Sequence, residues 1–148
     1  MKKIKLTILT LIFLISTGLI AQSEDSVEDI IKGRKAIFSD NYKTAKRVNI
    51  LVNDLAFEEA KKFMKEMTEN YETLLNYFPE NTKEGFNTEA LPSIWENKDE
   101  FNALMQKSAD DMKQLAAVIE DADDLRGTMQ QYMWSNCKAC HSKFRKPH

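Results

Sequence analysis

Cys137-Lys138-Ala139-Cys140-His141-Ser142-Lys143-Phe144-Arg145, near the C-terminal end, is the stretch whose reading decides the fold. Within it stands C-x-x-C-H, the attachment signature of a c-type haem. On a helix Cys137 and Cys140 are i and i+3, which puts both sulfurs on one face. His141 is i+4 from Cys137 and points the same way. Two thiols so placed suit thioether bonds to two haem vinyl groups, with the imidazole beside them ligating the iron. The expectation is one covalent haem c.

Zinc binding and thiol redox chemistry are two other uses of such a motif. Zinc wants four ligands, and the other histidine is His148, at the C-terminal end, so that site is crowded. A thiol-redox pair belongs at the start of a helix beside a βαβ unit, where the helix dipole lowers a thiol pKa. A disulfide across two residues closes a tiny loop and constrains little of the unfolded chain.

The other end of the chain reads as a targeting segment. Lys2, Lys3 and Lys5 form a basic region, and Leu6 to Ile20 is an apolar stretch broken only by Thr7, Thr10, Ser16, Thr17 and Gly18. Ala21 closes it with a small residue suited to cleavage. The apolar run is short for a spanning helix, which needs about 20 residues. A retained anchor is the alternative. The expected division is residues 1–21 as signal peptide and 22–148 as one domain, exported to the periplasm and free of the membrane after cleavage. Losing three lysines takes the formal charge of −2 down to −5, which argues against nucleic acid and leaves room for a basic redox partner.

Between these ends glycine and proline are scarce and the apolar spacing is helical. Ser26 caps a first helix, about 26–50, with Val27, Ile31, Arg34, Phe38, Asn41, Tyr42 and Ala45 on one face. A second run, Phe57 to Phe78, is stopped by Pro79. A polar loop to Asn97 carries Phe86, Leu91, Ile94 and Trp95, which suggests that it packs down on something. Asn97-x-x-Glu100 looks like a capping box for a third helix. Acidic residues from Asp121 to Asp124 suit the start of a fourth, with Leu125, Met129, Met133, Cys137 and Cys140 on one stripe, ended by Pro147. The fold expected is all-α, an antiparallel four-helix bundle with C-terminal haem attachment.

The bundle must also supply the iron's other face. From Val27 to Val52 the first helix has no Met, His or Cys. It offers Phe38, Asn41 and Tyr42, so a distal wall built from it leaves the iron five-coordinate. The alternative is a six-coordinate low-spin electron carrier with a methionine from another helix; methionine at helical spacing is otherwise core filler. Trp95 is either a lid on the haem edge or an anchor for its loop. Arg34 is costly to bury unpaired and wants a haem propionate or a surface carboxylate. Phe144 is i+3 from His141 and can pack on the haem or the imidazole. Arg145, at i+4, either reaches that region or simply suits a helix C-terminus. A distal acid–base histidine, as a peroxidase needs, is missing from the first helix, so no enzyme is expected.

The chain resembles the cytochromes c′, or class II cytochromes c, over essentially its whole mature length. The resemblance rests on Cys137 to His141 with Phe144 and Arg145 behind it, on Pro92-Ser93-Ile94-Trp95, and on Gly33-Arg34-Lys35-Ala36-Ile37-Phe38. It implies a left-handed bundle, often a homodimer, with pentacoordinate high-spin haem in the periplasm. It makes His141 the axial ligand, Arg145 the proximal arginine and Arg34 the propionate-binding arginine, with Phe38 over the sixth site. It also implies binding of nitric oxide, more weakly of carbon monoxide, and exclusion of dioxygen. Gly33 stands where an aromatic residue is usual, and Phe38 is larger than the usual leucine.

Overall fold

Ser26 starts the first helix as expected, its hydroxyl accepting from the Asp29 amide at 3.1 Å. The structure, a computed structural model, describes residues 26–147; the expected signal peptide and its cleavage site lie outside the described residues. Helix α1 runs Val27–Asn53. It closes in a Schellman turn, with the Ala56 amide donating to Leu51 and that of Leu55 to Val52. Leu55, not glycine, takes the left-handed position there, at φ 59°.

Helix α2 spans Phe57–Leu74 and so stops short of Pro79. Two causes act together. Proline disfavours helical backbone at the residue before it. The carbonyls that would continue the helix are also taken from outside: Arg34 donates to Tyr77 O, and Lys98 and Trp95 both donate to Phe78 O.

The segment after Pro79 is a clasp. It contains a single 3₁₀ turn, Glu80–Thr82, and a short helix α3, Ser93–Glu96. Ala90 forms an antiparallel bridge with Arg145. Leu91 N donates to Phe144 O, and Lys146 N to Glu89 O. The loop therefore packs on the end of the haem-motif helix. Because residues 145–146 pair with it, that helix ends at Phe144 and not at Pro147.

Helix α4, Lys98–Val118, begins at Asn97 without the expected capping box. Helix α3 directly precedes it, so the Asn97 amide turns back and donates to Ser93 O. The fourth bundle helix is built of α5, Leu125–Met129, a π turn, Gln130–Trp134, and α6, Ser135–Phe144. Asp124 caps it, accepting from Gly127 N at 2.9 Å.

Helix α2 packs on both α1 and α4. Met64, Met67, Leu74, Met112, Leu115 and Met133 are among the side chains sealed in the core. Each contributes roughly 1.5–3 kcal/mol through burial. The result is an all-α four-helix bundle. Among the described residues no helix is long and apolar enough to cross a membrane.

Candidate functional site

The π turn positions the motif. One extra residue in the backbone breaks the single stripe expected from Leu125 to Cys140. Ser135 completes the turn, with both its amide and its hydroxyl donating to Gln130 O. Such insertions occur often at functional sites. Its effect is to offset the stripe of Leu125 and Met129 from the face that carries Cys137 and Cys140, and Trp134, three residues before Cys137, lines the cavity with them.

That wall faces a cavity of about 650 Å³, a size typical of cofactor and small-molecule pockets. From α1 it receives Arg34, Phe38, Asn41, Tyr42 and Ala45. From the opposite side come Cys137, Cys140, His141, Phe144 and Arg145, with Tyr71, Phe101 and Met105 between. The structure thus brings together all the expected site residues except Trp95.

Both cysteines are free and half-buried. Burial pushes the Cys140 thiol up to about 11, with Cys137 beside it adding to the shift. Cys137 is raised too, by burial, partly offset by a hydrogen bond from Tyr71. A redox pair needs a lowered thiol pKa, so this environment is unsuited to that chemistry. Nor, among the described residues, do three metal-ligating side chains converge on a cation site; His148, the fourth donor in a zinc reading, lies outside them.

Arg34 is 2% exposed, and none of its partners is a carboxylate. Its guanidinium donates to Tyr77 O, to Thr82 Oγ1 and O, and to Thr88 Oγ1, at 2.7–3.2 Å. It lies over the Phe78 ring, 4.6 Å from the centroid. The surface carboxylate considered from sequence is therefore not its partner. Burial pulls its pKa down to about 10, which leaves it charged at neutral pH.

Trp95 is an anchor. Its indole N–H donates to the carbonyls of Phe78 and Pro79, and its neighbour Ile94 reaches the cavity instead. Arg145 has extended backbone, φ −121°, so it is not a helical neighbour of His141. It pairs with Glu89 at 2.8 Å on the clasp. Phe144 is buried edge-on against Phe101, with centroids 5.3 Å apart. His141 sits exposed at the cavity rim. On the facing helix Phe38 packs edge-on to Phe78, Asn41 is 4% exposed, and Tyr42 is 57% exposed.

Gly33 is explained by its neighbour. A Cβ there would meet Tyr77 Cε1 at 2.7 Å, so the Tyr77 ring occupies the space beside Gly33.

Spacing alone does not single out Tyr71 or Met105 as cavity residues. Tyr71 and Met105 lie on apolar stripes like any core residue, whereas Trp134, three residues before Cys137, is on the cysteine face by helical spacing.

These features fit a haem. Two cysteines and a histidine line one wall, and a buried cation with only neutral partners stands at the edge of a largely apolar chamber. The profile described as Cytochrome C' matches residues 29–145. Cytochrome c' of Rhodopseudomonas palustris is 32% identical over 120 residues, covering 79% of this chain and 82% of that one. A solved structure of cytochrome c' from Rhodopseudomonas palustris superposes with TM-score 0.71 at 29% identity, covering 80% of this chain and 97% of that one. A cytochrome c prime from Alcaligenes xylosoxidans shares the fold, with TM-score 0.70 at 23% identity over 84% of this chain and 99% of its own. By profile, identity and fold together, the chain belongs to the cytochrome c′ family, whose cofactor is haem c.

Proposed function

We propose that this chain is a periplasmic haem c protein whose iron has a single protein ligand and whose vacant position takes nitric oxide, and more weakly carbon monoxide. It exchanges electrons with a redox partner and is not an enzyme. Cys137 and Cys140 carry the haem as thioethers, and His141 is the axial ligand. Phe38 covers the open face. Arg34 supplies the charge beside a propionate, and its lack of any carboxylate partner supports that role. Arg145, held by Glu89, and Phe144 close the cysteine-bearing side.

The observation that carries this reading is the wall opposite the cysteines. Phe38, Asn41, Tyr42 and Ala45 line it, and none of these side chains is an ordinary iron ligand of an electron carrier. Bound haem supplies an iron centre that can take a diatomic molecule or change its charge by one electron. The protein's part is to hold it, to leave one position open and to keep water out with aromatic and aliphatic side chains. The family binds small gas ligands, and the Alcaligenes xylosoxidans relative is known as a nitric oxide complex of a variant.

A second reading has one observation behind it. Met105 lines the cavity, whereas Met64, Met67, Met112, Met129 and Met133 do not. A thioether on the iron would make a low-spin electron carrier. The ferric absorption spectrum separates the two: a high-spin spectrum is expected, together with a Soret shift when the ferrous protein meets nitric oxide. A sharp low-spin spectrum, lost in Met105→Leu, would overturn the open-site reading.

Export rests on the basic and apolar N-terminal segment. Pairing of two copies is supported by Tyr42 and Ile50, both exposed and eight residues apart on α1. Light scattering of the holoprotein should give twice the monomer mass.

A further inference from the structure

Asn41 breaks the pattern of its wall. It is 4% exposed, and its amide oxygen accepts from Asn70 Nδ2 at 2.9 Å. Its own Nδ2 is buried with no hydrogen-bond partner. A buried donor left unpaired costs roughly 1–3 kcal/mol, so native proteins seldom keep one without a use. Asn41 lines the cavity, three residues after Phe38 and four before Ala45, on the same stripe of α1. That stripe faces the wall bearing Cys137, Cys140 and His141. No group of the protein pairs with that N–H, and Asn41 borders the chamber.

We propose that Asn41 is a hydrogen-bond donor to the outer atom of a diatomic ligand held on the open face of the haem, and that Asn70 is its positioning residue. The inference rests on the open-site reading above and changes its chemistry. The distal wall is not uniformly apolar, because one N–H is fixed in it. Asn70 fixes the amide by binding its oxygen, which turns the nitrogen away from α2. Ligands that carry negative charge on their outer atom gain most from such a donor, since charge-assisted hydrogen bonds are about twice as strong as neutral ones.

The test uses the holoprotein with carbon monoxide as probe. Infrared spectroscopy of the ferrous complex reads the C–O stretch, which a donor at the oxygen lowers. Asn41→Leu, close in volume, is expected to raise the stretch and to speed loss of carbon monoxide about twofold to tenfold, the worth of one hydrogen bond. Asn70→Ala keeps the donor but frees its amide to turn, so it should fall between wild type and Asn41→Leu. An unchanged stretch in Asn41→Leu overturns the proposal while leaving the open site intact. A lowered stretch also overturns it, because that is the sign of an amide oxygen facing the ligand. Wild-type ferrous protein that takes no carbon monoxide removes the open-site reading and this inference with it.

Discussion

At the scale of single residues, Arg34 has the most to lose. One buried guanidinium satisfies carbonyls and hydroxyls from Tyr77, Thr82 and Thr88, and thereby ties the clasp to α1. Arg34→Leu would strand those acceptors, and the expected loss in urea unfolding is about 2–4 kcal/mol. Its pH dependence has a definite sign. Burial lowers the folded-state pKa to about 10 from 12.5, so above pH 10 the unfolded chain holds the proton more tightly. The Arg34 contribution to stability therefore rises with pH above 10, and a propionate beside it would cancel that rise. Comparing the alkaline limbs of wild type and Arg34→Leu, with and without haem, checks both signs. Gly33 gives a second residue-scale test. Gly33→Ala drives a Cβ into Tyr77, and overpacking of this kind costs roughly 1–3 kcal/mol. Tyr77→Ala should relieve it, giving a non-additive double-mutant cycle. The Gly33 glycine was readable in sequence as a departure, but the ring that explains it is forty-four positions further on.

At the scale of elements, helix ends divide what is local from what is not. Ser26 and Asp124 cap as their residue types suggest, because an Asx or serine side chain needs only its own next turn. Asn97 does not, because α3 abuts it. The α1 terminus offers a direct test: Leu55 holds a left-handed conformation at 64% exposure. Leu55→Gly removes a penalty of about 1–2 kcal/mol, so a higher melting temperature is expected. The π turn is the element that sequence spacing missed. Deleting Gln131 would restore uniform helix and rotate α6 about 100° against the core residues before it. The expected outcome is loss of covalent haem, read by pyridine haemochrome, with far-UV helicity largely kept.

At the scale of the whole molecule, the core is divided. One part is a sealed, methionine-rich seam shared by α1, α2 and α4 with the fourth helix; the other is the 650 Å³ chamber that a cofactor completes. A bundle with that chamber unfilled forgoes packing along its length. The Cys137→Ser/Cys140→Ser chain should therefore keep helical far-UV circular dichroism but unfold with weaker cooperativity and bind hydrophobic dyes. Unfolding as sharp as that of the holoprotein would contradict this division.

What the sequence determined by itself was everything that depends on near neighbours: four amphipathic helices, the cap at Ser26, the acidic start of the fourth helix, and two cysteines with a histidine on one helical face. Periodicity suffices there because residues three and four apart on a helix must be adjacent. Only the tertiary structure decided the rest. Trp95 anchors its loop and stays out of the cavity, Arg34 clasps neutral acceptors, Tyr77 covers Gly33, and Arg145 turns to Glu89. Each depends on contacts 17 to 56 residues apart. Such contacts are selected by the packing of whole elements, and no local pattern encodes them.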